Sequence, residues 1–187
     1  GGFGGYEIVG HKHLDHLQKC LDRVMLRRKK EEVLNLPPKI RSTEYVEMSK
    51  EQSKLYEEIK MEIMDNIDKV MLNPNPLVEL IRLRQCTGCP SILSSTISSS
   101  SKLDRMVELV EENVANGRKV IVFSNWTSIT EPAYKALSKF NPALITGNTV
   151  DRKAEEKKFQ TDDRCKVIIG TIGAMGTGLT LTAATTV

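Results

Sequence analysis

The sequence KVIIGTIGAMGTGLTLTAATTV, residues 166–187, decides the fold, because a short apolar run in it opens into a segment rich in glycine and threonine. Val167, Ile168 and Ile169 are typical of a strand buried on both faces of a sheet, since they lack the polar alternation of a half-exposed strand. A glycine-rich loop after such a strand often holds a phosphate group through its backbone N–H groups. The stretch therefore predicts a buried strand with a ligand-facing loop at its carboxyl end.

Helical and strand patterns alternate through residues 102–187. In chain order they are helix 103–116, strand 119–124, helix 130–137, strand 143–146, helix 151–159 and strand 166–170. This alternation is the signature of an α/β fold in which helices flank a parallel sheet.

Small polar residues follow the expected strands, and in such sheets ligands bind beyond the carboxyl ends of the strands. The residues at those ends are Ser124, Asn125, Trp126, Thr146, Gly147 and Thr171. Hydroxyl and amide donors there can follow a phosphate backbone without reading bases. For Trp126, packing under the loop is an equal alternative, because Trp is usually largely buried.

The glycine segment 173–178 does not match the known nucleotide-binding loops. A P-loop requires a lysine after its last glycine, and this segment contains no lysine. A dinucleotide fingerprint has the spacing GxGxxG, which is reversed here. The segment is therefore expected to hold one phosphate of a longer ligand, or to meet a nucleotide that another domain binds. The alternative is a tight turn chosen for its backbone conformation.

The first half of the chain is predicted to be mainly helical. Its expected elements are helix 11–34, a short strand at 41–48, a long amphipathic helix from Ser49 to near Asn73, and helix 77–85. Ser49 and Gln52 form a capping-box pattern at the start of the long helix. The serine-rich residues 94–101 predict a flexible connection and a domain boundary.

Bulk composition narrows the class of protein only slightly. Lys and Arg number 27 against 24 Asp and Glu, and the resulting charge of +3 permits nucleic-acid binding without arguing for it. No apolar run approaches the roughly 20 residues of a membrane span, and residues 1–10 lack a signal-peptide pattern. Because the chain begins with Gly and its last strand–loop unit stays open, we expect a fragment of a longer protein.

Two groups of side chains raise the question of a metal site. Cys86 and Cys89 form a CxxC pair, but no second pair accompanies them, which favours two structural cysteines. The second group is His11, His13, His16 and Cys20. A solvated helical turn is the simpler interpretation of that group, because Asp15 alone offers an acidic ligand beside it. We expect neither a metal site nor a catalytic residue in this chain.

Several segments, in this order, resemble the motifs of one family. They are Leu26–Lys29 with Leu36–Lys39, Leu83–Pro90, Ser101–Leu103, Lys119–Trp126, Thr146–Gly147 with Arg152 and Phe159, and Ile169–Ala184. Their combined order and spacing resembles the Snf-two (SWI/SNF-type) DNA translocases of helicase superfamily two. The short, insertion-free spacing resembles bacterial or viral members.

The resemblance implies four parts and a set of contact residues. The parts are the tail of a first RecA-like lobe (1–40), a helical connector (41–93), the serine-rich linker (94–101) and an incomplete second RecA-like lobe (102–187). The implied DNA contacts are Ser124, Asn125, Trp126, Thr146, Gly147, Arg152 and Thr171. The implied nucleotide or inter-lobe contacts are Gly176, Thr177, Gly178 and Thr180, the last standing where many relatives have Asn. For Arg152, a pairing with Glu155 or Glu156 is the alternative.

The resemblance also implies ATP and Mg²⁺ as cofactors of the parent protein, with double-stranded DNA and the first lobe as partners. A cytoplasmic location with the DNA follows. Because the Walker A, DExx and motif VI segments lie outside this sequence, we expect it to bind no cofactor and to hydrolyse no ATP alone. The rival hypotheses are a non-catalytic interaction module that binds through the helices at 50–85, and an RNA-directed enzyme.

Overall fold

The computed structural model describes residues 10–29, 38–72, 77–97 and 100–187, and it divides into two units, Gly1–Thr43 and Glu44–Val187. In the first unit, helix α1 spans Leu14–Leu21. The helix predicted over 11–34 is therefore wrong for residues 22–29, which form a turn and irregular chain, and residues 30–34 lie outside the described ranges. None of the α1 side chains is buried. A short helix draws most of its stability from packing, so α1 has little to extend it.

The predicted strand at 41–48 is also wrong, because residues 38–49 have no regular structure. The segment alternates in sequence, but none of the described strands pairs with it. A strand requires a partner for its backbone N–H and C=O groups, and alternation alone does not supply one.

Helices fill the start of the second unit. They are α2 (Lys50–Asp65), α3 (Ile67–Leu72) and α4 (Leu77–Gly88), followed by a 3₁₀ turn at Pro90–Ile92. The long predicted helix is confirmed, with an interruption at Asn66. Ser49 caps α2 as predicted, since its Oγ accepts from the N–H of Gln52 at 3.2 Å.

Gln52 does not complete the predicted capping box. Its side chain is 1% exposed, and its Nε2 donates to the carbonyls of Cys86 at 2.8 Å and Thr87 at 3.3 Å. Its Oε1 accepts from the N–H of Ser101 at 3.4 Å, at the first residue of helix α5 (Ser101–Ala115). The N–H of Ser49 donates instead to Ser101 Oγ at 3.1 Å. Gln52 therefore joins the ends of α2, α4 and α5.

The last residues of the serine-rich stretch belong to this junction. Ser100 is buried, its Oγ donates to the carbonyl of Gly88 at 2.8 Å, and the same Oγ accepts from the N–H of Leu103 at 3.3 Å. Ser100 and Ser101 are thus a helix cap and a first helical residue, so the expected flexible connection is wrong for these two. The domain boundary at 94–101 stays a prediction.

A parallel four-stranded sheet occupies the rest of the second unit, in the order β2-β3-β1-β4. The strands are β1 (Lys119–Ser124), β2 (Ala143–Ile145), β3 (Val167–Thr171) and β4 (Ala184–Thr186). Between them lie α6 (Thr127–Ala136), a 3₁₀ turn at Ser138–Phe140, α7 (Arg152–Thr161) and α8 (Ile172–Met175). The predicted α/β fold with a parallel sheet flanked by helices is confirmed, and β4 is an additional strand.

The quoted strand is central, as its composition predicts, because β3 is buried along its whole length and lies between β2 and β1. Its side chains alternate between two apolar clusters. Ile168 packs with Phe159 of α7 on one face, and Val167 and Ile169 pack with Val110 of α5 on the other. Each fully buried side chain of this size contributes about 1.5–3 kcal/mol, so β3 fixes the positions of the strand ends beside it.

We predict that Gln52→Leu lowers the free energy of unfolding by about 3 kcal/mol or more. The leucine fills a similar volume but leaves two carbonyls of α4 and the N–H of Ser101 without their partner, and each unsatisfied buried group costs about 1–3 kcal/mol. Urea denaturation followed by circular dichroism measures the change. Glu58→Leu is the control, because Glu58 lies exposed on the same helix in a 3.9 Å ion pair with Lys54. An equal loss in both variants would contradict the role given to Gln52.

A second prediction concerns Gly170, which pairs with Phe123 of β1 and Ile145 of β2. A Cβ at Gly170 would lie 2.4 Å from the carbonyl oxygen of Ile145. We expect Gly170→Ala to destabilise the protein by about 1–3 kcal/mol, the usual cost of overpacking. Gly173→Ala is the matched control, since a Cβ there meets nothing within 4 Å. Thermal unfolding that shifts equally in both variants would refute this account.

Candidate nucleic-acid interface

The carboxyl ends of three strands lie side by side. Ser124 of β1 is the register partner of Thr171 of β3, and Ile145 of β2 is the partner of Gly170. Thr146, the next residue after β2, therefore comes beside Thr171. The structure thus brings three of the residues predicted from strand ends into one row, which we call the strand-end row: Thr146, Thr171 and Ser124.

At the end of β1, Ser124 closes a tight turn. Its Oγ donates to the carbonyl of Trp126 at 3.0 Å and accepts from the N–H of Trp126 at 3.1 Å. The hydroxyl is therefore engaged within the protein, and Asn125 at the tip of the turn is exposed. This turn offers a ligand the Asn125 amide, while Ser124 holds the turn in shape.

The end of β2 is organised in a similar way. Thr146 is only 5% exposed, and its hydroxyl accepts from the N–H of Asn148 at 3.3 Å. Its own N–H donates to Thr149 Oγ1 at 2.9 Å, and that hydroxyl donates to the carbonyl of Leu144 at 3.2 Å. Gly147 and Asn148 are exposed above this network. The exposed polar groups at this end are therefore those of residues 147 and 148.

The end of β3 differs from an open loop. The short helix α8 follows it directly, with the N–H of Gly176 donating to the carbonyl of Ile172 at 2.8 Å. Thr171 is 9% exposed, and its hydroxyl forms no hydrogen bond with the residues that the structure describes. Residues 176–178, which we call the glycine turn, then reverse the chain, with Gly178 at φ +78°. That left-handed conformation favours glycine.

A cleft of about 310 Å³ opens beside the end of β1. Its walls come from both halves of the second unit: Arg84 and Thr87 of α4 and Lys102 of α5 face Asn125 and Trp126. The Arg84 guanidinium carbon lies 5.3 Å from the centre of the Trp126 ring. A cation at this distance from a tryptophan ring is attracted by about 0.5–1 kcal/mol at an exposed site. Trp126, half-buried, thus lines the cleft and is covered by Arg84 on one face.

Sequence reasoning missed Arg84 and Lys102 as site residues. Both belong to segments that carry the family resemblance, but they precede Trp126 by 42 and 24 positions, so only the folded chain brings them to the cleft. The sequence shows only that each of these two segments contains one basic residue. It does not show on which face of the folded protein that side chain lies.

Arg152 is exposed at the first position of α7. The two glutamates proposed as its alternative partners bind backbone groups instead. Glu155 Oε2 accepts from the N–H of Leu144 at 2.9 Å, and Glu156 Oε1 accepts from the N–H of Thr180 at 2.7 Å. Arg152 forms no ion pair within the described ranges, so its guanidinium is available to a ligand.

The CxxC pair lies in surroundings that are typical of structural cysteines. Cys86 and Cys89 are buried, and Cys89 Sγ lies 3.1 Å from Ser91 Oγ. Burial raises the pKa of the Cys86 thiol. In the first unit, Cys20 Sγ lies 3.9 Å from His16 Nδ1 on the exposed face of α1. Among the described residues, no three His, Cys, Asp or Glu side chains come together as a metal site.

Two protein families match successive parts of the chain. The SNF2-related domain matches residues 7–92, and the helicase conserved C-terminal domain matches residues 101–187. The matches divide the chain at the serine-rich stretch and together leave few residues outside.

Curated relatives are ATP-dependent helicases by name. A putative ATP-dependent helicase/translocase of Bacillus subtilis is 27% identical over 190 residues, which cover 92% of this chain and 20% of the relative. An uncharacterised ATP-dependent helicase of Mycoplasma genitalium is 30% identical over 178 residues, 90% of this chain and 17% of the relative. The chain thus spans about a fifth of the length of these relatives.

Solved structures share the fold. The C-terminal domain of the Sulfolobus solfataricus SWI2/SNF2 ATPase is 25% identical, with a TM-score of 0.64 over 73% of this chain and 65% of that one. The core of the same ATPase in complex with double-stranded DNA is 24% identical, with a TM-score of 0.70 over 91% of this chain and 39% of that one. The RecA-like fold expected from the resemblance is confirmed.

The thiols provide a prediction. Alkylation requires an accessible thiolate, and of the four cysteines only Cys20 is exposed. Burial also raises the pKa of the Cys86 and Cys165 thiols, so less thiolate forms there at pH 8. We expect iodoacetamide at pH 8 to label one cysteine in the native protein and four in guanidinium chloride, as counted by mass spectrometry. Native labelling of Cys86 would contradict the buried junction around Gln52.

Proposed function

Because the chain belongs to the SNF2-related (SWI/SNF-type) family, we propose that it is part of an ATP-driven translocase on double-stranded DNA. In this proposal it supplies contacts to the DNA backbone and to a first RecA-like lobe. The observation that carries the proposal is the strand-end row, with the cationic cleft of Arg84 and Lys102 beside it. The names of the helicase relatives and the DNA complex of the Sulfolobus ATPase support it.

The exposed groups along this edge suit a phosphate backbone. Amides, hydroxyls and cations are the donors that proteins direct at phosphate and sugar oxygens, and such contacts hold DNA without reading its sequence. Asn125, Gly147 and Arg152 offer exposed groups of this kind. Thr171 is only 9% exposed but offers a hydroxyl without a partner among the described residues, and the Trp126 ring adds an aromatic face. Ser124 and Thr146 serve chiefly by holding their turns.

Within the described ranges, the helices are too short or too polar to cross a bilayer. The proposed DNA substrate implies a location inside the cell.

A nucleotide would meet this chain at one edge only. Residues Gly176 and Thr177 of the glycine turn are exposed, as is Thr180, so they fit one side of a nucleotide shared with another lobe. The glycine turn has no lysine to grip phosphates, and no acidic cluster for Mg²⁺ occurs among the described residues. ATP, when bound, supplies the phosphoryl-transfer chemistry. We propose that the parent protein uses ATP and Mg²⁺ and that this chain alone hydrolyses none.

In this mechanism, the chain's own residues hold and release the DNA backbone. The connector carries Arg84, and the second lobe carries Lys102 and the strand-end row, so the two parts bind the backbone together at the cleft. Lobe closure around the nucleotide would move this assembly as one body along the duplex, in a hinge-type cycle. The non-catalytic interaction module is not favoured, since both matched families and the named relatives are helicase-type proteins.

We predict that Lys102→Ala in the full-length protein weakens duplex binding about tenfold, the effect of losing one charged hydrogen bond. The slope of log affinity against log salt should become shallower by about one, because one fewer phosphate is neutralised. Fluorescence anisotropy over a salt series measures both, and DNA-stimulated ATP turnover should fall in parallel.

Lys139→Ala is the matched control. Lys139 pairs with Glu111 at 2.6 Å and precedes the amino end of β2, at the opposite edge of the sheet. Its loss should leave binding and salt slope unchanged. Equal effects of the two substitutions would refute the cleft as the DNA site. A full-length protein without DNA-stimulated ATP turnover would refute the translocase itself, and a preference for duplex RNA would favour the RNA-directed enzyme.

A further inference from the structure

The segment after the glycine turn is fastened to α7 by two side chains. Thr180 is held at both of its backbone groups: its N–H donates to Glu156 Oε1 at 2.7 Å, and its carbonyl accepts from Gln160 Nε2. Gln160 also accepts from the N–H of Ala183 at 2.8 Å through Oε1, and its Nε2 reaches Thr182 Oγ1 at 3.2 Å. Glu156 and Gln160 are one helical turn apart on α7, so they lie on the same face. We call this pair the α7 clamp.

The opposite side of the same segment packs on the core. Leu179, Leu181 and Ala183 are partly buried against the cluster that contains Phe159, and they alternate with the exposed Thr180 and Thr182. Apolar contacts thus hold one side of the segment while the α7 clamp holds the other. Residues 179–183, which form neither helix nor strand, are thereby held in one position relative to α7 and the core.

The glycine turn is therefore anchored at both ends. At its start, the N–H of Gly176 donates to the carbonyl of Ile172 of α8. At its end, Thr180 is held by the α7 clamp. Thr177 and Gly178 lie between α8 and the core-packed Leu179, so the clamp sets the direction in which the turn presents Thr177.

The clamp is mounted on a helix that is itself well fixed. Phe159 of α7 is fully buried. Lys119 Nζ donates to the carbonyls of Phe159 at 2.6 Å and Asp162 at 2.9 Å, at the carboxyl end of α7. The other end of α7 carries Arg152, which belongs to the proposed DNA face. One rigid helix thus joins the proposed DNA face to the glycine turn of the proposed nucleotide face.

We propose that Glu156 and Gln160 are positioning residues that couple DNA contact to the nucleotide edge by holding the glycine turn in register with α7. This inference rests on the proposed function. Neither side chain touches DNA or nucleotide in this proposal, and both act through Thr180 and Ala183.

Amide hydrogen exchange of the full-length protein tests the clamp directly. Gln160→Leu should speed exchange at Ala183, and Glu156→Leu at Thr180, by about five- to tenfold, the effect of one ordinary hydrogen bond. Glu156→Gln keeps an acceptor oxygen and should exchange like the wild type. Lys157→Leu is the control, because Lys157 is exposed on the same helix outside the clamp. Unchanged exchange in Gln160→Leu and Glu156→Leu would overturn the clamp.

The ratio of DNA-stimulated to basal ATP turnover tests the coupling. It should fall about fivefold or more in Gln160→Leu and Glu156→Leu, the lower range of measured couplings between sites, and stay unchanged in Glu156→Gln and Lys157→Leu. Faster amide exchange with an unchanged turnover ratio would show that the clamp only stabilises the structure, and it would overturn the positioning role. A wild-type protein that DNA does not stimulate would contradict the proposed function, and the exchange rates would still decide whether the clamp holds the turn.

Discussion

Three helix ends meet at the buried amide of Gln52, and the rest of the second unit depends on how that amide is satisfied. The carbonyls at the end of α4 and the N–H at the start of α5 have no partner within their own helices. Gln52 supplies a donor to the first and an acceptor to the second. The polar ends of α4 and α5 can be buried at this junction because one side chain carries both groups. The cleft that holds Arg84 and Lys102 lies next to this junction.

The strand-end row follows from a separate constraint, the burial of β3. Because β3 is covered on both faces and paired on both edges, its carboxyl end is fixed relative to those of β1 and β2. Polar groups that would be costly inside the sheet collect at this edge, where the backbone leaves it. Ser124 and Thr146 use their hydroxyls to stabilise these exits, so the turns stay ordered while Asn125 and Gly147 remain exposed.

The sequence predicted the elements that carry their own pattern. The strands β1, β2 and β3 each have an apolar run, and the residues after them were identified as one edge. By contrast, β4 could not be predicted, because Ala184–Thr186 has no apolar run and becomes a strand only by pairing with β1. The capping-box prediction is correct for Ser49, which caps α2, and wrong for Gln52. The Gln52 side chain binds buried carbonyls of α4 instead of the N–H of Ser49. The positions of Arg84 and of the α7 clamp depend on contacts between residues that are distant in sequence. The periodicity of a sequence carries no information on such contacts.

The junction at Gln52 also makes the pair of helices α2 and α4 a lever. The amino end of α2 is fastened to α4 and α5 by buried hydrogen bonds, and at 16 residues α2 extends about 24 Å from that point. Near its far end, Glu62 pairs with Arg82 of α4 at 3.1 Å, so the two helices move together. A rotation of about 5° at the fastened end displaces the far end by roughly 2 Å over that length. A small rotation of this helix pair at the junction would thus become an atomic-scale displacement at Asn66.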